Sequence, residues 1–193
     1  GTQTAGSTTR PSSYCGIYCL KPSFGVVPRT GILKTLDTLD HITMIARCVD
    51  DLKLFFDVSR VKGENHPFIH KTLDKYNGIS KKKIKIAFVK TDTWCYAHDY
   101  AQVALTQFAK KLDHIADVIV DEFETLPFLN NLHGDHLTIY EKALSYYFKD
   151  EYNQYKNKLS NVFKKMVENG QKVSAEVYRK TLQKQVDCIH HSD

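Results

Sequence analysis

Gly1-Thr2-Gln3-Thr4-Ala5-Gly6-Ser7-Thr8-Thr9-Arg10-Pro11 decides how this chain is read. It sets a serine behind residues with almost no side chain, where glycine opens backbone conformations that bulkier residues resist. Curled into a turn, the N–H groups of residues 4–7 form a concave set of donors beside the Ser7 hydroxyl. A serine attacking an acyl carbon needs such donors for the developing oxyanion, and it also needs a base to take its proton. The segment offers candidates for the first need only. On these eleven residues alone, an ordinary Gly/Ser/Thr turn is the better account. Arg10 follows Ser7 by three residues. If a helix starts just after the serine, that spacing returns the guanidinium to the same face. There it would fork onto a substrate carboxylate, or else cap carbonyls or pair with an acidic neighbour.

Outward from this segment, composition narrows the field. At 193 residues and 42% apolar content, the chain is one domain or part of one. No run approaches the roughly eighteen apolar residues of a membrane span, and no signal peptide opens it. The 27 basic and 22 acidic side chains are spread rather than striped, with 8 and 5 of them in the first 63 residues. No basic face interleaved with aromatics emerges, which argues against direct nucleic-acid binding. The lysine run at 81–83 reads as a solubilising lead into a strand. Cys15, Cys19, Cys48, Cys95 and Cys188 show no disulfide or zinc spacing, so reduced, buried thiols in a cytoplasmic protein are expected. His133-Gly134-Asp135-His136 and His190-His191 have a metal-like look with nothing to complete a site, and solvated loops are the expectation.

Periodicity predicts a mixed α/β architecture. Compact apolar or β-branched runs place strands at 17–20, 42–45, 84–89 and 118–120. Helical spacing covers 49–58 and 100–115, and then 129–148, 159–168 and 174–189, with Gly170 as a stop and Ser174 as an N-cap. Strands alternating with helices, then a helical block, describe an α/β layer with a helical C-terminal flank. The aromatics Tyr140, Tyr146, Tyr147, Phe148, Tyr152 and Tyr155 fit a packed helical face better than a substrate channel.

Among known families, the first eleven residues resemble the core pattern of the amidase signature enzymes, position by position. The likeness continues through Tyr14-Cys15-Gly16-Ile17, Leu20-Lys21-Pro22-Ser23-Phe24-Gly25-Val26-Val27-Pro28 and Gly31. It resumes at Thr38-Leu39-Asp40, Ala46-Arg47-Cys48-Val49-Asp50-Asp51-Leu52 and Phe55-Phe56-Asp57-Val58. This resemblance implies a mixed β-sheet core flanked by helices, with residues 1–193 as a partial amidase domain. Residues 1–63 would be the signature segment and 64–193 the strand-helix units and helical flank.

The resemblance also implies an amide hydrolase working through an acyl-enzyme, without cofactor or metal, on a small-molecule amide. Ser7 matches the nucleophile of a Ser-Ser-Lys triad, Thr4, Ala5 and Gly6 match the oxyanion donors, and Arg10 matches a substrate-binding arginine found in some members. The bridging serine and the lysine lie upstream in the family, so a fragment lacking its base, and inactive alone, is expected. Lys21 does not match the catalytic lysine. Two alternatives are the amidase subunit of a glutamyl-tRNA(Gln) or aspartyl-tRNA(Asn) amidotransferase and a non-catalytic relative acting in an interaction; a homodimer is also left open. Departures are Cys19 and Thr43, each where the family usually has glycine and each a source of crowding. Gln3 stands for the commoner aspartate, Ala5 for glycine, and Lys34-Thr35-Leu36 for the usual Pro-Leu.

Overall fold

A computed structural model describes residues 1–63, 84–115, 117–123, 127–129 and 131–192. The lysine run at 81–83 lies outside the described residues. The chain divides into two compact units, Gly1–Tyr76 with Ile139–Val173, and Asn77–Thr138 with Ser174–Asp193.

In the first unit, β1 (Thr2–Gln3) pairs antiparallel with β3 (His41–Ile42), and β2 (Tyr18–Leu20) pairs antiparallel with β4 (Met44–Ala46). The single strand expected at 42–45 is thus two strands broken at Thr43, because Ile42 faces Thr2 while Met44 faces Leu20. Between β1 and β2 runs the short helix α1 (Thr9–Tyr14). Helix α2 (Val49–Ser59) opens with Asp50 and Asp51 in its first turn, where carboxylates suit the positive helix end. It buries Leu52 against Val27 and Met44, with Leu20, Ile42, Ala46 and Phe56 packed around them.

The same unit holds the C-terminal half of α4 (Leu132–Tyr147), then α5 (Lys149–Tyr155) and α6 (Asn161–Lys172). Sequence periodicity missed α5, a polar stretch whose buried residue is Tyr152; that phenol donates to Glu168 Oε1 at 2.6 Å. Ser160 caps α6 by accepting from Phe163 N. Gly170 is not the expected stop. It lies inside α6, where a Cβ would meet Glu141 O at 1.9 Å. A glycine costs an interior helix position about 1 kcal/mol relative to alanine, and here it admits the backbone of α4. The aromatic cluster divides: Tyr152 is buried, whereas Tyr146 and Tyr155 are exposed.

The second unit contains β5 (Ile84–Val89), a 3-10 turn at Trp94–Tyr96, α3 (Asp99–Asp113) and β6 (Val118–Phe123). The two strands pair in parallel from Ile84 opposite Val118 to Val89 opposite Phe123, which requires the crossover that α3 supplies. Helix α7 (Ala175–Ser192) begins behind Ser174, whose hydroxyl accepts from Val177 N as expected of an N-cap. It packs on the 3-10 turn Pro127–Leu129, where Cys188 Sγ donates to Phe128 O at 3.1 Å.

Two local readings are corrected. His133 and His136 lie on α4 and His190 and His191 end α7, so neither pair sits in a loop; Asp135 pairs with Lys184 at 3.2 Å. Of the cysteines, Cys15, Cys48 and Cys95 are exposed, and only Cys19 and Cys188 are partly covered. The mixed α/β class with its helical C-terminal block stands, and among the described residues its strands form three separate pairs.

Candidate active site

The Ser7 turn is the link between β1 and α1, and the polar side chains on either side of it hold it in place. Gln3 is 4% exposed at the end of β1. Its Oε1 accepts the N–H groups of Thr8 at 2.8 Å and Thr9 at 2.9 Å. The first helical N–H groups have no partner within a helix, and here a side chain five residues upstream of Thr8 satisfies them. Thr8, formally the N-cap, makes no capping bond of its own. Its hydroxyl donates to Thr2 O at 3.1 Å and lies 2.6 Å from Thr43 Oγ1. A hydroxyl has one proton, so Thr43 is the donor of the second bond. Thr43, at 1% exposure, therefore does not crowd the backbone as its departure from glycine suggests. Its amide also donates to Gly1 O, and its carbonyl accepts from Gly1 N, both at 2.9 Å. Cys19 sits half-covered in β2 opposite Ile45 without breaking the pairing.

On the other side of the turn stands Asp40, 8% exposed. Its Oδ1 accepts from Thr4 Oγ1 at 2.6 Å and Thr35 Oγ1 at 2.9 Å, and its Oδ2 accepts from the N–H groups of Thr35 and Leu36, each at 2.8 Å. Burial on its own would raise the carboxyl, but these four donors outweigh it and hold Asp40 below the ordinary carboxylate value. In the sequence Thr38-Leu39-Asp40 is a motif that assigns Asp40 no role, and Gln3 is only a substitution. The available signal was chemical: an amide oxygen and a carboxylate oxygen both accept backbone N–H groups, at the start of α1 for Gln3 and in the turn at 35–40 for Asp40.

Between these clamps Ser7 is exposed, and its hydroxyl has no hydrogen-bond partner among the described residues. The N–H groups of Thr4, Ala5, Gly6 and Ser7 likewise make no hydrogen bond there. Gly6 O accepts from Arg10 N at 3.1 Å and from Arg10 Nε at 3.3 Å. The exposed guanidinium thus folds back over the turn by capping a carbonyl, and its other N–H groups make no bond among the described residues. Lys21 makes no bond to Ser7; partial burial lowers its ammonium below the ordinary value.

A family model described as Amidase matches residues 1–190, and the chain belongs to that family. Over 62 residues it is 42% identical to a glutamyl-tRNA(Gln) amidotransferase subunit of Treponema pallidum (strain Nichols), covering 32% of this chain and 12% of that protein. Over 137 residues it is 30% identical to the subunit of the same name from Sulfolobus acidocaldarius, covering 67% of this chain and 27% of the relative. Among solved structures, one described as an amidase aligns with a TM-score of 0.78 at 18% identity, over 97% of this chain and 40% of that one. The native peptide amidase of Stenotrophomonas maltophilia aligns at 0.63 and 17%, over 94% and 42%. The chain therefore spans between 12% and 27% of these curated relatives and about two fifths of the solved structures. No helix among the described residues is long and apolar enough to cross a membrane.

Proposed function

We propose that this chain carries the nucleophile and oxyanion donors of a serine amidase. Ser7 Oγ attacks the carbonyl carbon of an amide as a base outside the described residues takes its proton, and the N–H groups of Thr4, Ala5 and Gly6 hold the resulting oxyanion. Collapse of that intermediate, with the proton passed to the leaving nitrogen, expels ammonia or an amine and leaves an acyl-serine, which water then hydrolyses to the acid and free Ser7. Arg10 receives a carboxylate of the substrate. The observation that carries this reading is the pairing of an exposed serine with a run of unengaged N–H groups, in a turn clamped by Gln3 and by Asp40 through Thr4. Donors that are fixed in place and unused by the fold are what a developing oxyanion requires. No base for Ser7 stands within hydrogen-bond reach among the described residues. The five unpaired cysteines accord with a cytoplasmic setting.

The test is labelling with a serine-directed fluorophosphonate in the longest natural chain that contains these residues. Adduct formation at Ser7, lost in Ser7→Ala, is the expected result; labelling unchanged in that variant refutes the assignment.

A second reading, the amidase component of a tRNA-dependent amidotransferase with partner subunits, is favoured by the names of the relatives above. Glutaminase activity in a multi-subunit complex recovered with this chain distinguishes it from a free-standing amidase.

A further inference from the structure

Arg29 opens the tight turn 29–32, closed by Ile32 N donating to Arg29 O at 3.2 Å, with Gly31 at φ 81° in the position where such turns favour glycine. Its guanidinium carbon lies 4.9 Å from the centroid of the Phe24 ring, a stacked placement that limits its freedom. Among the described residues it forms no ion pair. A cleft of about 330 Å³, at the lower end of ligand-pocket sizes, opens beside it, walled by Val27, Pro28, Ile32 and Leu33. A second cavity of about 120 Å³ shares Arg29, Ile32, Leu33 and Asp40 and is also lined by Thr4, at the start of the Ser7 turn.

The charges facing this space are unevenly disposed. Asp40 lines both cavities, yet both its oxygens are occupied by the four donors described above. Lys34, on the rim of the larger cleft, pairs with Asp37 at 3.6 Å. Arg29 is the cation left without a carboxylate among the described residues. Its field reaches His41, which edges onto Phe24 at 5.5 Å and lines the smaller cavity. Burial first, and then the charges of Lys21 and Arg29, hold that imidazole below its ordinary value, against the opposing pull of its bond to Leu39 O and of Asp40. His41 therefore enters neutral conditions uncharged and does not compete for the anion.

We propose that Arg29 and this cleft form a binding site for a small organic carboxylate with an apolar body. The carboxylate lies in the plane of the guanidinium fork, and the hydrocarbon lies against Ile32 and Leu33. The site does not require Ser7 to be a nucleophile. It stands or falls on binding, so its failure and the failure of the amidase reading are separable.

The probe is 4-methylpentanoate, titrated into the 193-residue chain while amide and Arg side-chain NMR shifts are followed, with 4-methylpentanamide as the uncharged comparison. Saturable shifts at Arg29, Ile32 and Leu33 are expected, with a dissociation constant of about 1 mM, in the range that a few heavy atoms reach. The amide should bind at least about tenfold more weakly, as should the carboxylate to Arg29→Gln, while Arg47→Gln on a separate loop matches wild type. Equal binding of acid and amide, unchanged affinity in Arg29→Gln, or no saturation by about 50 mM overturns the proposal. The comparison of acid with amide uses the wild-type chain, so it decides the matter even if the variant misfolds.

Discussion

The Ser7 turn and the β5–α3–β6 unit are held by opposite means. Around Ser7 the bonds that fix the backbone come from side chains far along the chain, with 36 positions separating Thr4 from Asp40 and 35 separating Thr8 from Thr43. In β5–α3–β6 the two strands are joined by an uninterrupted backbone ladder and connected through one α-helix, and the exposed Lys90–Glu122 pair only adds to that ladder near its end. Under the proposed function such a turn is not tied by a ladder, because a ladder would consume the N–H groups proposed to hold an oxyanion. Distant polar side chains hold the flanks instead and leave the donors unengaged.

That contrast breaks most sharply at Asp40. Asp40→Ala strands two hydroxyls and two backbone N–H groups in a buried site, with an expected loss of about 3 kcal/mol by urea denaturation and loss of probe reactivity at Ser7. The pH dependence follows from the lowered carboxyl. Asp40 contributes stability above the unfolded-state value, and the contribution disappears as pH falls through the lower folded value. Wild type therefore weakens on acidification below about pH 4, and Asp40→Asn removes that part of the slope. Asp40→Asn with a wild-type pH profile would show that the carboxylate is not the anchor.

A smaller effect is expected at Thr43→Val, which keeps the shape and removes the donor to Thr8. About 1 kcal/mol should be lost, because Thr8 retains its bond to Thr2 O. The smallest belongs to the other region. Glu122→Gln removes an exposed ion pair from a strand already secured by its ladder, and thermal denaturation should move by no more than the equivalent of about 0.5 kcal/mol. A loss there as large as at Asp40 would erase the distinction between the two regions.

Legibility in the sequence follows the same division. β5 is visible residue for residue at 84–89, because its apolar and β-branched alternation is a local property. β6 runs on past the expected 118–120 through Asp121, Glu122 and Phe123; those residues are polar or exposed, and only the partner strand keeps them extended. Gly170 misleads for a related reason. An isolated glycine late in a helical run carries the local signature of a stop, whereas its actual cause is a carbonyl of another helix. At the candidate site, Ser7, Arg10 and the small residues stand out as candidates only through the likeness of ordered motifs to a known family. The roles of Gln3, Asp40 and Thr43 do not stand out in that way, since each depends on an atom brought near by β1 pairing with β3.

By itself the sequence determined the α/β class, most helix and strand positions and membership in the amidase family, because periodicity and ordered motifs are written in consecutive residues. The tertiary structure decided which polar groups clamp the Ser7 turn, why its N–H groups stay unengaged, and that Arg29 faces a cleft without a carboxylate partner among the described residues. The physical reason is that hydrogen bonds and charge pairing depend on distance in space, and the chain sets that distance only when β1, β3 and the 29–40 loop fold together.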